Sequence, residues 1–142
     1  MQTFMPYSNF KQTAKCLDYR RLGKQRVEAH QILNTLNFKR QGITHKNGRK
    51  IGWMNHPAVL MWEGYEESLK QYMNVMIQEW IDRGYNNTMR KYPIRKKNLI
   101  HPQWITKDFI KAHRSNLLRK DNEYYSQFNW NVPDDLEYVW PV

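Results

Sequence analysis

Cysteine is all but missing from this chain of 142 residues, where Cys16 stands alone. A single thiol excludes an internal disulfide and a cysteine-built zinc site, and it points to a reducing compartment. Five histidines (His30, His45, His56, His101 and His113) fall at no metal-ligand spacing. There is no HExxH pair either, so no metal is expected. Glycine is scarce at six residues, with neither a phosphate-cradling loop nor a GxSxG elbow. That removes nucleotide hydrolysis and lipase-like acyl transfer, and no cofactor is expected. No run approaches the roughly 18 apolar residues of a membrane span. Met1–Pro6 lacks the basic and apolar regions of a signal peptide, so the expected location is cytoplasmic, away from membranes.

Acid is scarce wherever base is dense. Residues 1–62 hold 11 Lys/Arg against 2 Asp/Glu and residues 83–120 hold 11 against 1, whereas 63–82 hold 1 against 5 and 121–142 hold 0 against 5. The net charge is +10. Brought together by folding, the two basic blocks form one face that attracts a polyanion and releases counterions on binding. The bases are interleaved with aromatics along the chain, unlike the single basic amphipathic helix of a membrane-surface binder. Six Trp and nine Tyr supply ample buriable area, so the chain folds, and its length suits one domain over residues 1–142. No internal repeat or linker interrupts it.

The periodicity predicts an all-α compact domain of three main helices joined by long irregular loops. The first starts at Ser8 or Asn9, with Gln12 placed to complete a capping box, and continues through Leu17, Val27, Ile32, Leu33 and Leu36 toward residue 37. Gly23 interrupts it. A glycine there costs about 1 kcal/mol against alanine, so either the helix bends or backbone comes close to something. The second opens at Pro57, behind Asn55 or His56, and carries the stripe Leu60, Trp62, Tyr65, Leu69, Met73, Met76, Ile77, Trp80 until Gly84 stops it. That stripe reads as core. The third starts at Thr106, with Asp108 at its positive end. Asn47-Gly48 is a hairpin turn signal among Lys46, Arg49 and Lys50.

Two polar clusters can carry chemistry. Asp18, Arg21, Gln25 and Glu28 follow three-four-three spacing and share one helix face, so two carboxylates flank an arginine. They serve either as a fixed acid/base group or as surface ion pairs, and the surface pairing is the commoner arrangement. Arg20, Lys24 and Arg26 add positive charge there. On the third helix Arg114, Arg119 and Lys120 are candidate phosphate contacts, with Ser115 and Asn116 as hydrogen-bond donors. His56 and His113 complete the candidate polyanion contacts.

The segment Met61–Tyr85 (MWEGYEESLKQYMNVMIQEWIDRGY), preceded by His56, resembles the second helix of the phage endonuclease V family of pyrimidine-dimer DNA glycosylases with abasic-site lyase activity. Tyr19-Arg20-Arg21-Leu22 and the His113 helix resemble its first and third. The blocks MQTFMPY, LDYRRLGKQRVE, NHPAVLMWEGYE, HRSNLLRKD and PDDLEYVWP together resemble a bacterial and phage branch grouped with that family. The resemblance covers nearly the whole chain. It implies an all-helical domain that extrudes a nucleotide from double-stranded DNA, cuts the glycosidic bond and then the backbone.

In the family the nucleophile is the amino-terminal amine, which forms an imine with the sugar, assisted by a carboxylate on the first helix. Arg21 aligns with that carboxylate, so the role passes to Glu28 or Asp18 or is lost. Gln2 is too large for ordinary methionine removal, which leaves Met1 to present the amine. An α-amine has a reference pKa of about 7.7–8.0 against about 10.4 for lysine. Lys24, among Arg20, Arg21 and Arg26, is the alternative nucleophile. The expectation is therefore a DNA glycosylase and abasic-site lyase that needs no obligate protein partner. Its rivals are a non-catalytic DNA-binding relative and an RNA-binding module that stacks unpaired bases on Trp and Tyr.

Overall fold

In the computed structural model, which describes residues 1–142, the chain forms six α-helices and one two-stranded ribbon. The fold is all-α, as the periodicity predicts, but two of the three expected helices are each divided. The first becomes α1 (Phe10–Cys16) and α2 (Tyr19–Arg40). Asn9 caps α1 through Oδ1, which accepts from Gln12 N at 2.9 Å. The break falls at Leu17 and Asp18 and not at Gly23. Both residues are extended, and Asp18 caps α2 by accepting from Arg21 N.

Gly23 instead permits a close approach. A Cβ there would lie 2.8 Å from the Trp80 ring, so the indole rests directly on helix backbone.

The second expected helix becomes α3 (Pro57–Leu60) and α4 (Glu66–Asp82). Gly64, at φ +85°, takes the left-handed turn between them. Residues 45–50 form the hairpin of β1 (His45–Lys46) and β2 (Arg49–Lys50), paired antiparallel. Asn47 and Gly48 both have positive φ, which the tight primed turns require. Beyond a single 3₁₀ turn at Lys96–Asn98, α5 (Lys107–Lys120) is capped by Thr106 as expected, and α6 (Asn122–Tyr125) follows. No helix is long and apolar enough to cross a membrane.

Helices α2 and α4 run antiparallel, with Gly23 against Trp80 near one end and Lys39 paired with Glu63 at the other. Their facing stripes bury Leu22, Ala29, Ile32 and Leu36 against Leu69, Met73, Met76 and Ile77, each large side chain contributing about 1.5–3 kcal/mol. The amino-terminal stretch is buried without regular structure, so its backbone groups need side-chain partners. It finds them on three sides. Phe4 N donates to Gln25 Oε1 and Met5 N to His113 Nδ1, both at 2.9 Å. The Tyr72 hydroxyl lies 2.7 Å from Phe4 O, Trp62 Nε1 donates to Thr3 Oγ1 at 3.0 Å, and Arg114 Nε donates to Pro6 O at 2.7 Å. Residues 2–6 are thereby threaded between α2, α4 and α5.

Candidate active site

The threaded segment ends in a pocket of about 800 Å³. Met1, Gln2 and Phe4 form one wall. The first turns of α2 supply Asp18, Tyr19, Arg20, Arg21, Lys24, Gln25 and Glu28, the α5–α6 junction supplies Lys120, Asp121 and Tyr124, and the carboxyl-terminal tail supplies Tyr138. The three-four-three face of α2 thus opens into the same cavity as the amino terminus.

Its two carboxylates are held differently. Asp18 accepts hydrogen bonds from the Tyr125 hydroxyl, from Arg21 N, and from Arg21 Nη1 at 3.1 Å. Burial raises its pKa, but these hydrogen bonds and the Arg21 charge outweigh that and leave it below the ordinary value. Its lone pairs are occupied in capping α2 and docking α6. Glu28 is buried at the pocket wall, and its charge partner is Lys24, 3.8 Å away. The Lys24 side chain is 71% exposed, so its ammonium reaches into solvent.

Positive charge is concentrated at the rim. Burial, followed by repulsion from Arg21, Arg119 and Lys24, lowers the Lys120 pKa. His56 caps α3 by accepting from Ala58 N at 3.0 Å, which leaves Nε2 to carry the proton of the neutral ring. Burial first, then the charge of the Met1 amine, lowers its pKa, with Glu28 opposing. His56 therefore lies within electrostatic reach of both groups.

Several residues expected to touch DNA are engaged elsewhere. His113 is fully buried, and burial brings its pKa down to about 3. The neutral ring anchors Met5 and has no surface to offer a phosphate. Asn116 is buried as well, donating to Ala112 O at 2.7 Å and Leu136 O at 3.2 Å. Arg114 lies over the rings of Tyr7 and Trp130, while Arg119 donates to Asp134 O and Leu136 O and holds down the tail. The Arg26 guanidinium covers Trp80 at 4.1 Å and bonds Asn87 Oδ1. Around the pocket itself the structure keeps Arg20, Arg21, Lys24 and Lys120.

Sequence reasoning passes over Asp121, Tyr124 and Tyr138. The Tyr138 ring packs on Phe4 and His113, with Trp140 beyond it. No spacing rule brings a tail residue onto the amino terminus. The one visible signal is the PDDLEYVWP block, whose aromatics are unusual in a polar tail.

A family model described as pyrimidine dimer DNA glycosylase matches residues 1–93. No curated protein and no solved structure matches the chain significantly. The matched residues carry the Met1 wall and the whole α2 wall of the pocket, and the α5–α6 and tail walls lie beyond them. The match spans well over half of the sequence, and the chain belongs to that family.

Proposed function

We propose that this member of the pyrimidine dimer DNA glycosylase family excises a damaged or modified base from duplex DNA, a pyrimidine dimer by the family's description, and then cleaves the abasic strand as a lyase. The Met1 α-amine is the nucleophile and Glu28 the assisting carboxylate. The observation supporting this is the meeting of Met1 and Glu28 in one cavity beneath a cationic rim. Its volume lies within the range of small-molecule sites and suits a single extruded nucleotide.

The amine attacks C1′ of the sugar. The C1′–N bond breaks, its electron pair leaves with the base, and the base takes up a proton. The attached nitrogen loses a proton, the ring C1′–O4′ bond opens with O4′ protonated, and an imine forms. Loss of a C2′ proton then expels the 3′ phosphate oxygen with the C3′–O electron pair. Positive charge develops on the sugar during the first step, and the Glu28 carboxylate stabilises it. Glu28 lies two helical turns beyond Arg21 on the same face of α2, so the carboxylate role moves along the helix while Arg21 stays bonded to Asp18.

Lys120, on the pocket wall with a lowered pKa, replaces solvent-exposed Lys24 as the main rival amine. Borohydride reduction of the protein bound to an abasic-site duplex tests the assignment. The expected result is a covalent adduct that maps to the Met1 peptide. An adduct on the Lys120 or Lys24 peptide overturns the nucleophile. Gel retardation with no adduct overturns the enzyme and leaves a DNA-binding relative.

A further inference from the structure

We propose that Tyr19, Tyr85 and Trp80 form a stacking platform at the pocket mouth for an unpaired nucleobase of the bound DNA. This rests on the reading above, because the DNA must already occupy the pocket. Tyr19 lines the cavity, yet 50% of it is exposed, and Tyr85 is 40% exposed. Their rings lie 6.1 Å apart at 34°, and Tyr85 continues onto Trp80 at 4.4 Å with the same tilt. The three rings make a ladder that leads out of the pocket along the seam of α2 and α4.

The ladder is braced from below. Trp80 rests on the bare backbone of Gly23, where a Cβ would sit 2.8 Å from the ring. Its indole nitrogen donates to Asn86 O at 2.7 Å, and the Arg26 guanidinium covers it at 4.1 Å. Such support fixes ring orientation, whereas Tyr19 and Tyr85 keep surface open to solvent. Arg20 lies 5.8 Å over Tyr19 and is fully exposed, and the Lys24 ammonium stands near the same rim.

Flat apolar faces bordered by cations suit a ligand that is both planar and anionic, which describes a nucleotide better than an apolar protein surface. Extruding a nucleotide into the pocket leaves a base of the duplex unstacked, and that base needs a new partner. The ladder begins where the pocket ends.

Affinity is measured for two duplexes, one fully paired and one carrying a non-reactive tetrahydrofuran abasic analogue opposite an unpaired base. Tyr85→Ala should weaken binding to the second duplex about tenfold, the loss of one base–aromatic stack. It should leave binding to the paired duplex within about twofold, and Tyr85→Phe, which keeps the ring, should restore the wild-type preference. Equal affinities of wild type and Tyr85→Ala for the abasic duplex overturn the platform, and so does an equal loss on both duplexes. If the wild-type protein still yields the borohydride adduct, only the platform falls. If it binds neither duplex, the proposed function falls with it.

Discussion

Asp18 and Glu28 share a cavity, but only Glu28 has electron pairs to spare. Asp18 is committed to Tyr125 and Arg21. Glu28→Gln should therefore cut strand cleavage and adduct formation by about 10²-fold or more while leaving DNA affinity within a few-fold, because a charge that acts on the developing sugar cation matters only along the reaction path. Asp18→Asn should lower the melting temperature more than it lowers the rate. Equal kinetic loss in both variants would reassign the carboxylate.

His113 predicts a pH effect on stability. Its folded pKa is about 3, against 6.5 for the free side chain. Between those values the unfolded chain binds a proton that the folded chain refuses. The contribution to stability is thus complete above pH 6.5 and is lost as pH falls toward 3, at up to about 1.4 kcal/mol per pH unit. Thermal melts at pH 7 and 5 should differ accordingly, and His113→Gln should flatten the difference. An unchanged difference would show that other groups control the acid limb.

At the scale of elements, Gly23 reverses the usual rule for helices. Alanine is the better helix former by about 1 kcal/mol, yet its methyl would meet the Trp80 ring at 2.8 Å. Gly23→Ala should destabilise the protein by about 1–2 kcal/mol. In a Trp80→Ala background the same change should be neutral or stabilising. A denaturant-unfolding cycle on the four proteins measures that coupling, and additive effects would contradict the contact.

Local rules explain which elements are legible in the sequence. The Thr106 cap, the Asn47-Gly48 turn and the end of α4 before Gly84 each depend on neighbours within a few residues. The break at Leu17–Asp18 depends on more. Asp18 N accepts no helical role and instead donates to the Tyr125 hydroxyl, 107 residues further along, at 3.2 Å. Apolar spacing carries no trace of that contact. The division at Gly64 is half visible: the glycine is plain, but the stripe passes through it without losing phase.

For the molecule as a whole, the positive face is narrower than composition implies, because arginines that look available are bonded within the fold. The α2 half of the pocket is legible from the spacing of residues 18, 21, 25 and 28. The other half needs the tail to fold back on α5, where Leu136 N donates to Ser115 Oγ and Leu136 O accepts from Asn116 and Arg119. With Arg21 ion-paired to Asp18, the rim cations Arg20, Lys24 and Lys120 would give a slope of log affinity against log salt near −3, at about 0.9 per phosphate contact. Lys24→Ala should reduce its magnitude by about 1. Arg119→Ala should leave the slope unchanged and lower the melting temperature, since it frees the tail. A slope change in the Arg119 variant would return that residue to the DNA-binding face.

The threading of residues 2–6 through the core bears on how the protein can be produced. Met1 lines the pocket, so if a nucleotide enters there as proposed, peptide fused ahead of Met1 should compete with it for that volume, and an amino-terminal affinity tag should lower DNA affinity relative to the untagged protein. Val142 is 66% exposed, and a tag appended there leaves the cavity open.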